Sequence, residues 1–226
     1  MQQTIAANIK VVLTGATGMV GEGVLHECLN NNTVQEVLVL GRKSCGVTHP
    51  KLKEFLHNNF HDLSAIADQL KGYDACFFCA GVSSVGKKEE EFYHLTYALT
   101  MHVAETLAKQ NNNMTFCYVS GAGTDSSENG RLMWARVKGK TENDLMKLPF
   151  AQVYNFRPGI IEPGKGLKNT IKMYNYFMWL LPIIKLISKN GVVRLAEIGQ
   201  AMINATTKGY KKQVLEVKDI KELAAT

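Results

Sequence analysis

The chain has 226 residues, 46% hydrophobic and 20% charged, with 19 Gly, five Pro and a formal net charge of +6. That length can bury a substantial core without covalent staples, and the composition excludes disordered, collagen-like and disulfide-scaffold classes. In chain order, Ile9–Leu13 is a short β-branched run that reads as a strand, followed by a glycine loop and a helix to about Asn30. Val37–Leu40 reads as a second strand ending at Gly41-Arg42, residues 52–57 as a third, and Asp62–Leu70 as a short helix. Ala75–Cys79 is an apolar strand, Lys88–Gln110 a long helix and Thr115–Val119 another strand. A Gly/Ser/Asp loop then leads to a helix over Leu132–Leu148 and a strand over Ala151–Phe156.

Apolar strands alternating with helices predict an α/β architecture: a doubly wound, Rossmann-type parallel sheet with helices on both faces. From Pro158 the rhythm changes. Gly159, Pro163, Gly164 and Gly166 mark a loop, followed by an apolar helix around 168–188, a helix near 194–207, a strand at Gln213–Val217 and a terminal helical turn. The expectation is a single dinucleotide-binding domain over 1–226, in which 159–226 forms a small cap on the substrate side.

This last third is also the basic part. Residues 1–150 carry 14 basic and 15 acidic side chains, whereas 151–226 carry 12 and 5. Such a balance suits an anionic substrate, an acidic lipid surface or solvated lysines, while no aromatic-interleaved basic motif or zinc-finger spacing points to nucleic acid. The uncharged stretch Met173–Ile184 falls short of the roughly 20 residues of a membrane span. Its Tyr174, Phe177, Met178 and Leu181 form a one-sided stripe that suits a pocket cap, a core helix or self-association into a homo-oligomer. The first ten residues have no basic segment or apolar run of signal-peptide type, so the chain is expected to be cytoplasmic.

Of the five cysteines, Cys76 and Cys79 have CxxC spacing inside a strand. With a side-chain period of two they face opposite sides, which argues for buried thiols rather than a metal or redox pair. No metal site is expected.

The strongest chemical signal is Thr14-Gly15-Ala16-Thr17-Gly18-Met19-Val20-Gly21, directly after the first strand and opening the first helix. Gly15 permits the tight turn, Gly18 the approach of a pyrophosphate, and Gly21 close packing of the helix. Amides at the helix start and the positive end of its dipole hold phosphates. At the end of the second strand, where an acidic residue would bond the ribose of NAD, the chain has Gly41-Arg42-Lys43, with Glu36 at the strand's other end. Arg42 and Lys43 suit the 2′-phosphate of NADP(H), or are surface cations.

These features resemble the atypical branch of the short-chain dehydrogenase/reductase superfamily. More specifically, they are similar to the Tat-interacting protein family of small NADPH-binding oxidoreductase-like proteins, often labelled nucleoside-diphosphate-sugar epimerases. The likeness also covers Cys79-Ala80-Gly81, Val119-Ser120-Gly121-Ala122-Gly123, Val137-Lys138-Gly139-Lys140 and Phe156-Arg157-Pro158-Gly159. It implies that Asp62, with Leu63, meets the adenine, although Asp62 reads equally as a helix N-cap. It further implies that Cys79, Ala80 and Gly81 line the cofactor, Ser120 holds a substrate carbonyl, Lys138 bonds the nicotinamide ribose, and Arg157-Pro158-Gly159 closes over the nicotinamide. Lys138 could instead be a solvated helical lysine, and the last motif a plain strand-ending turn.

One position departs from the pattern. The catalytic Tyr should stand one helical turn before Lys138, where the chain has Trp134. An indole N–H donates a hydrogen bond but does not titrate usefully. Tyr93, His94, Tyr97, Tyr118 and Tyr154 are other candidate proton donors, and His94 and Tyr97 should share a helix face. The implied function is hydride transfer between NADP(H) and a small carbonyl or sugar substrate; the alternative is an NADPH-sensing protein without full catalysis.

Overall fold

The structure, a computed structural model, describes residues 8–164, 166–169 and 191–226. Seven strands form one parallel sheet in the order β3-β2-β1-β4-β5-β6-β9. They are β1 (Ile9–Thr14), β2 (Val34–Gly41), β3 (Leu52–Leu56), β4 (Ala75–Phe78), β5 (Thr115–Val119), β6 (Gln152–Arg157) and β9 (Val214–Glu216). Strands β7 (Ile160–Glu162) and β8 (Val192–Arg194) pair in parallel as a separate ribbon. The direction of winding reverses between β1 and β4, and in such sheets the crevice beyond the carboxyl ends of those two strands is where ligands bind.

The apolar strands are buried on both faces, as the sequence pattern requires. Val11, Leu13, Val37, Val39, Phe77 and Phe156 fill one core with α1 (Met19–Asn30) and α5 (Leu195–Lys208). Val12, Leu38, Leu40, Phe78, Phe116 and Tyr118 fill the other, under α3 (Leu99–Gln110) and α4 (Met133–Leu145). Cys76 lies in the second core and Cys79 packs against the first, so the CxxC pair does face opposite sides. All five cysteines are free thiols.

Two local elements differ from the sequence expectation. Only Ser64–Leu70 of the expected 62–70 helix is helical, and it is a 3-10 stretch. The long helix is interrupted: α2 (Glu89–Tyr93) runs into one π turn at His94–Ala98 before α3 begins. The wider π turn overrides the three-residue spacing of His94 and Tyr97. His94 stacks on His61, while the Tyr97 hydroxyl donates to Asp144 Oδ2 of α4 at 2.8 Å.

The region after Pro158 is more than a cap. β9 is the seventh strand of the main sheet, α5 packs along α1, and a last helix, α6 (Val217–Ala224), follows directly. Small residues allow the α1–α5 contact, since a Cβ on Gly199 would come within 2.7 Å of Glu27 and one on Gly23 within 3.0 Å of Leu195. The apolar stripe at 173–184 lies outside the described residues. No described helix is long and apolar enough to cross a membrane.

The C-terminal strands are bracketed by one buried cation. The Arg157 guanidinium donates to both carboxylate oxygens of Glu142 on α4, to Ser126 Oγ and to Glu216 of β9. The Glu142 side chain is fully buried, whereas that of Glu216 is 52% exposed. Removing one member of a buried pair leaves an uncompensated charge worth about 3–5 kcal/mol. Arg157→Met should therefore lower stability by about that amount in urea unfolding, and Glu216→Gln by less than about 1 kcal/mol; equal effects would show that Glu142 does not need its partner.

Candidate functional site

Two cavities open along the carboxyl edge of the sheet. The larger, about 970 Å³, lies at the β1/β4 reversal and is lined by Gly15–Gly18, by Val39–Lys43, by Asn58–His61, by Cys79–Val82, and by His94, Leu95 and Leu99. The smaller, about 630 Å³, lies beyond β5 and is lined by Ser120–Ala122, Trp134, Lys138, Pro158–Ile160, Gly191 and Glu216–Lys218.

The glycine loop is held by backbone contacts that exclude side chains. Gly15 has a φ of +75°, and a Cβ there would sit 2.6 Å from the Cys79 carbonyl and the Ala80 nitrogen at the end of β4. A Cβ on Gly21 would lie 2.1 Å from the Gly15 carbonyl oxygen. Gly21 thus packs the helix onto the loop itself, a more local role than helix–sheet contact. The Gly18 amide donates to Gly15 O at 2.9 Å, and Ala80 N donates to Thr14 Oγ1 at 3.2 Å. Met19 and Val20 lie under the loop against the core, outside the cavity wall. A Cβ on Gly81 would meet nothing within 4 Å, so the space above this cradle is open. Such a cradle of glycines, with the amide end of α1 directed into it, fits a dinucleotide's phosphates.

Arg42 and Lys43 stand at the mouth of this cleft, exposed and without an ion pair among the described residues. Glu36 is remote from it, bound to Lys53 and to the Tyr73 hydroxyl. Asp62 and Leu63 are not in the cavity wall. The Asp62 carboxylate accepts from the Ser64 amide at 3.0 Å and the Ser64 hydroxyl at 2.6 Å, which holds its carboxyl below the usual range. Leu63 is buried in the core under α3. The wall at this end is instead Asn58, Asn59, Phe60, His61 and His94. Counting on from the end of the third strand could have found the first four, since they leave the same sheet edge as Arg42.

In the second cavity Ser120 and Lys138 come together. Lys138 Nζ donates to Ser120 O at 3.0 Å and Val119 O at 3.4 Å, clamping the end of β5. Desolvation pulls this half-buried ammonium down to about 8, against the pull of the Glu142 carboxylate, which raises it. The Ser120 hydroxyl is buried and lies 2.8 Å from Thr124 Oγ1, which itself donates to Gly121 O. A hydroxyl has one proton, so Ser120 is the donor in the Ser120–Thr124 bond. Thr124 was not singled out in the sequence; its signal is the four-residue spacing from Ser120 across the glycine loop.

Trp134 lies one turn before Lys138 on the same cavity wall. The RPG motif is divided. Pro158 and Gly159 line the cavity, but the Arg157 guanidinium is turned onto α4, as described above, and does not close over it. Among the alternative proton donors, Tyr118 and Tyr154 are buried, with burial pushing both phenols up, and Tyr154 is bonded to Tyr210. Tyr97 is held by Asp144, and Tyr93 stacks on Tyr97 outside both cavities. His94 faces the first cavity, away from Lys138.

Comparison with known proteins fits this geometry. A model of the NAD dependent epimerase/dehydratase family matches residues 11–129, from the first strand through the loop after Ser120. The chain belongs to that family. Among its relatives, the protein FMP52-1, mitochondrial, of Scheffersomyces stipitis is 25% identical over 210 residues, covering 88% of each chain. The rat protein HTATIP2 is 28% identical over 161 residues, 68% of this chain and 63% of that protein. A solved structure of the Bordetella bronchiseptica enzyme WbmF in complex with NAD+ superposes with a TM-score of 0.69 at 18% identity, covering 98% of this chain and 78% of that one. The expectation of a cytoplasmic chain is overturned here, because the FMP52 relative matched over nearly its whole length is named mitochondrial.

Lys138 gives the site a measurable titration. Its folded value of about 8 lies below the ordinary 10.5. Between these values the unfolded chain binds the extra proton, so this residue makes the fold more stable as pH rises. Competitive acetylation of the folded protein, read by mass spectrometry, should give a Lys138 reactivity midpoint near pH 8; a midpoint near 10.5 would show a solvated ammonium.

Proposed function

We propose that the chain is an NADP(H)-binding oxidoreductase or epimerase-like enzyme that acts by hydride transfer on a small carbonyl or sugar substrate, built as one domain with the substrate side drawn from 159–226. The observation that carries this reading is the continuity of one sheet edge. A glycine cradle with exposed Arg42 and Lys43 stands at one end, and Ser120 with Lys138 stands at the other. When bound, the dinucleotide supplies the hydride.

The chain's own residues divide the rest of the work. Gly15–Gly18 and the start of α1 hold the phosphates, and Arg42 with Lys43 grips the 2′-phosphate. Cys79, Ala80 and Gly81 line the path toward the second cavity, and Lys138 faces the ribose there. To hold a substrate carbonyl, Ser120 turns its proton away from Thr124, a rotation of one hydroxyl. Trp134 supports a second reading, an NADPH-sensing protein with incomplete chemistry, because it places a non-titrating ring where a proton donor would stand.

The cofactor assignment predicts that NADPH binds more tightly than NADH. One charge-assisted contact contributes about 1.5–3 kcal/mol, or roughly 10- to 150-fold. Arg42→Ala should remove most of that preference in a calorimetric titration, and equal affinities in the unmodified chain would refute it. The two functional readings separate on turnover. General acid catalysis contributes about 10²–10⁴-fold, so Trp134→Tyr should raise a trace carbonyl-reducing activity by up to that factor. Rapid turnover by the unmodified chain would show that another group already supplies the proton.

A further inference from the structure

The end of the large cleft beyond Arg42 is closed by histidines, a feature that the phosphate and ribose contacts leave unexplained. His61, on the loop after β3, and His94, on the π turn, are stacked with ring centroids 4.5 Å apart and planes within 14°. Both are exposed, both line the cleft, and neither ring is hydrogen-bonded to a described residue. His102 tilts against His61 from behind at 6.4 Å, with its Nε2 buried and unpartnered. The π turn that presents His94 also leaves Thr96 Oγ1 buried without a partner. A π turn is an uncommon, less favourable geometry found often at functional sites, and unsatisfied buried groups call for a compensating role.

A dinucleotide with its pyrophosphate on the glycine loop and its ribose at the end of β2 must put its base further along this cleft, among Asn58–His61, His94, Leu95 and Leu99. The apolar floor is Leu95 and Leu99, and the exposed rings there are the two imidazoles. Asp62 stands outside the cleft wall, accepting both Ser64 bonds at Oδ1, and its carbonyl lies 2.6 Å from His57 Nε2. We propose that the base of a bound dinucleotide completes a ring stack begun by His61 and His94, and that this pair, not the Asp62 carboxylate, holds the purine. The inference rests on the cofactor reading above and assigns its base end to His61 and His94.

Stacking of a base on an aromatic ring has a typical strength that corresponds to roughly 5- to 150-fold in affinity. The test is calorimetric titration of the full chain with adenosine 2′,5′-bisphosphate and with NADPH. The double variant His61→Leu/His94→Leu, which keeps bulk and removes aromatic faces, should weaken both ligands by about that factor. His61→Phe/His94→Phe, which restores flat rings, should bind within about threefold of the unmodified chain, and so should Asp62→Asn. Because both histidines are exposed, the variants should keep the far-ultraviolet circular dichroism of the parent. Equal binding by the Leu and Phe pairs would overturn the stack. A loss of tenfold or more in Asp62→Asn, with the histidine variants unaffected, would return the base to the carboxylate. If the unmodified chain bound neither ligand, the cofactor reading would fail and this assignment with it.

Discussion

The approach of backbone to backbone at the glycine loop sets the geometry on which the site depends. Gly15 lies against the end of β4, and the first turn of α1 lies against the Gly15 carbonyl through Gly21. No side chain fits either contact. The loop therefore stays low over the sheet edge, and the cleft opens between β1 and β4 instead of being filled by them. The same contact aims the amide end of α1 into the cleft, where its partial positive charge favours phosphates. The Thr14 hydroxyl, accepting from Ala80 N, ties the two strand ends together beneath it.

The rest of the edge is organised by charge rather than by packing. Lys138 clamps the end of β5 through two carbonyls, and Arg157 clamps α4 to β6 and β9 through Glu142 and Glu216. Glu142 links the two, since it pairs with Arg157 and also supports the charge of Lys138. Arg157 is therefore a positioning residue for the second cavity. It fixes the helix that carries Trp134 and Lys138 against β6, which leads directly into Pro158. The two cavities are built by different physics: glycine backbone and open space at one end, buried ion pairs and committed hydroxyls at the other.

The alternation of apolar strands and helices was legible because the sheet is buried on both faces, which forces near-continuous runs such as Ala75–Phe78 and Thr115–Val119. The glycine loop was legible because its residue types are dictated by excluded volume at fixed spacing. The ribbon of β7 and β8 was not, since each is only three residues long and its pairing crosses about 30 residues of chain. Nor was the place of β9, which is a short run whose only mark is the edge of β6 that it covers.

At the site, the sequence by itself determined the residue types and their order along the sheet edge: the cradle at 15–21, the cations at 42 and 43, Ser120, and Trp134 one turn before Lys138. Helical periodicity puts Trp134 and Lys138 on one face and strand ends mark the sheet edge, while the pairing of Ser120 with Lys138 was implied by the family resemblance. Only the tertiary structure decided where flexible or branched polar side chains spend their bonds. Asp62 caps its own turn through Oδ1, with both bonds from Ser64, and stands outside the cleft wall. Arg157 could close the cavity or enter the core, and the buried Glu142 carboxylate, from another element, drew it inward. His94 could share the face of Tyr97, and one π turn separated them. In each case the outcome depended on a competing partner whose distance in space is not encoded by its distance in sequence.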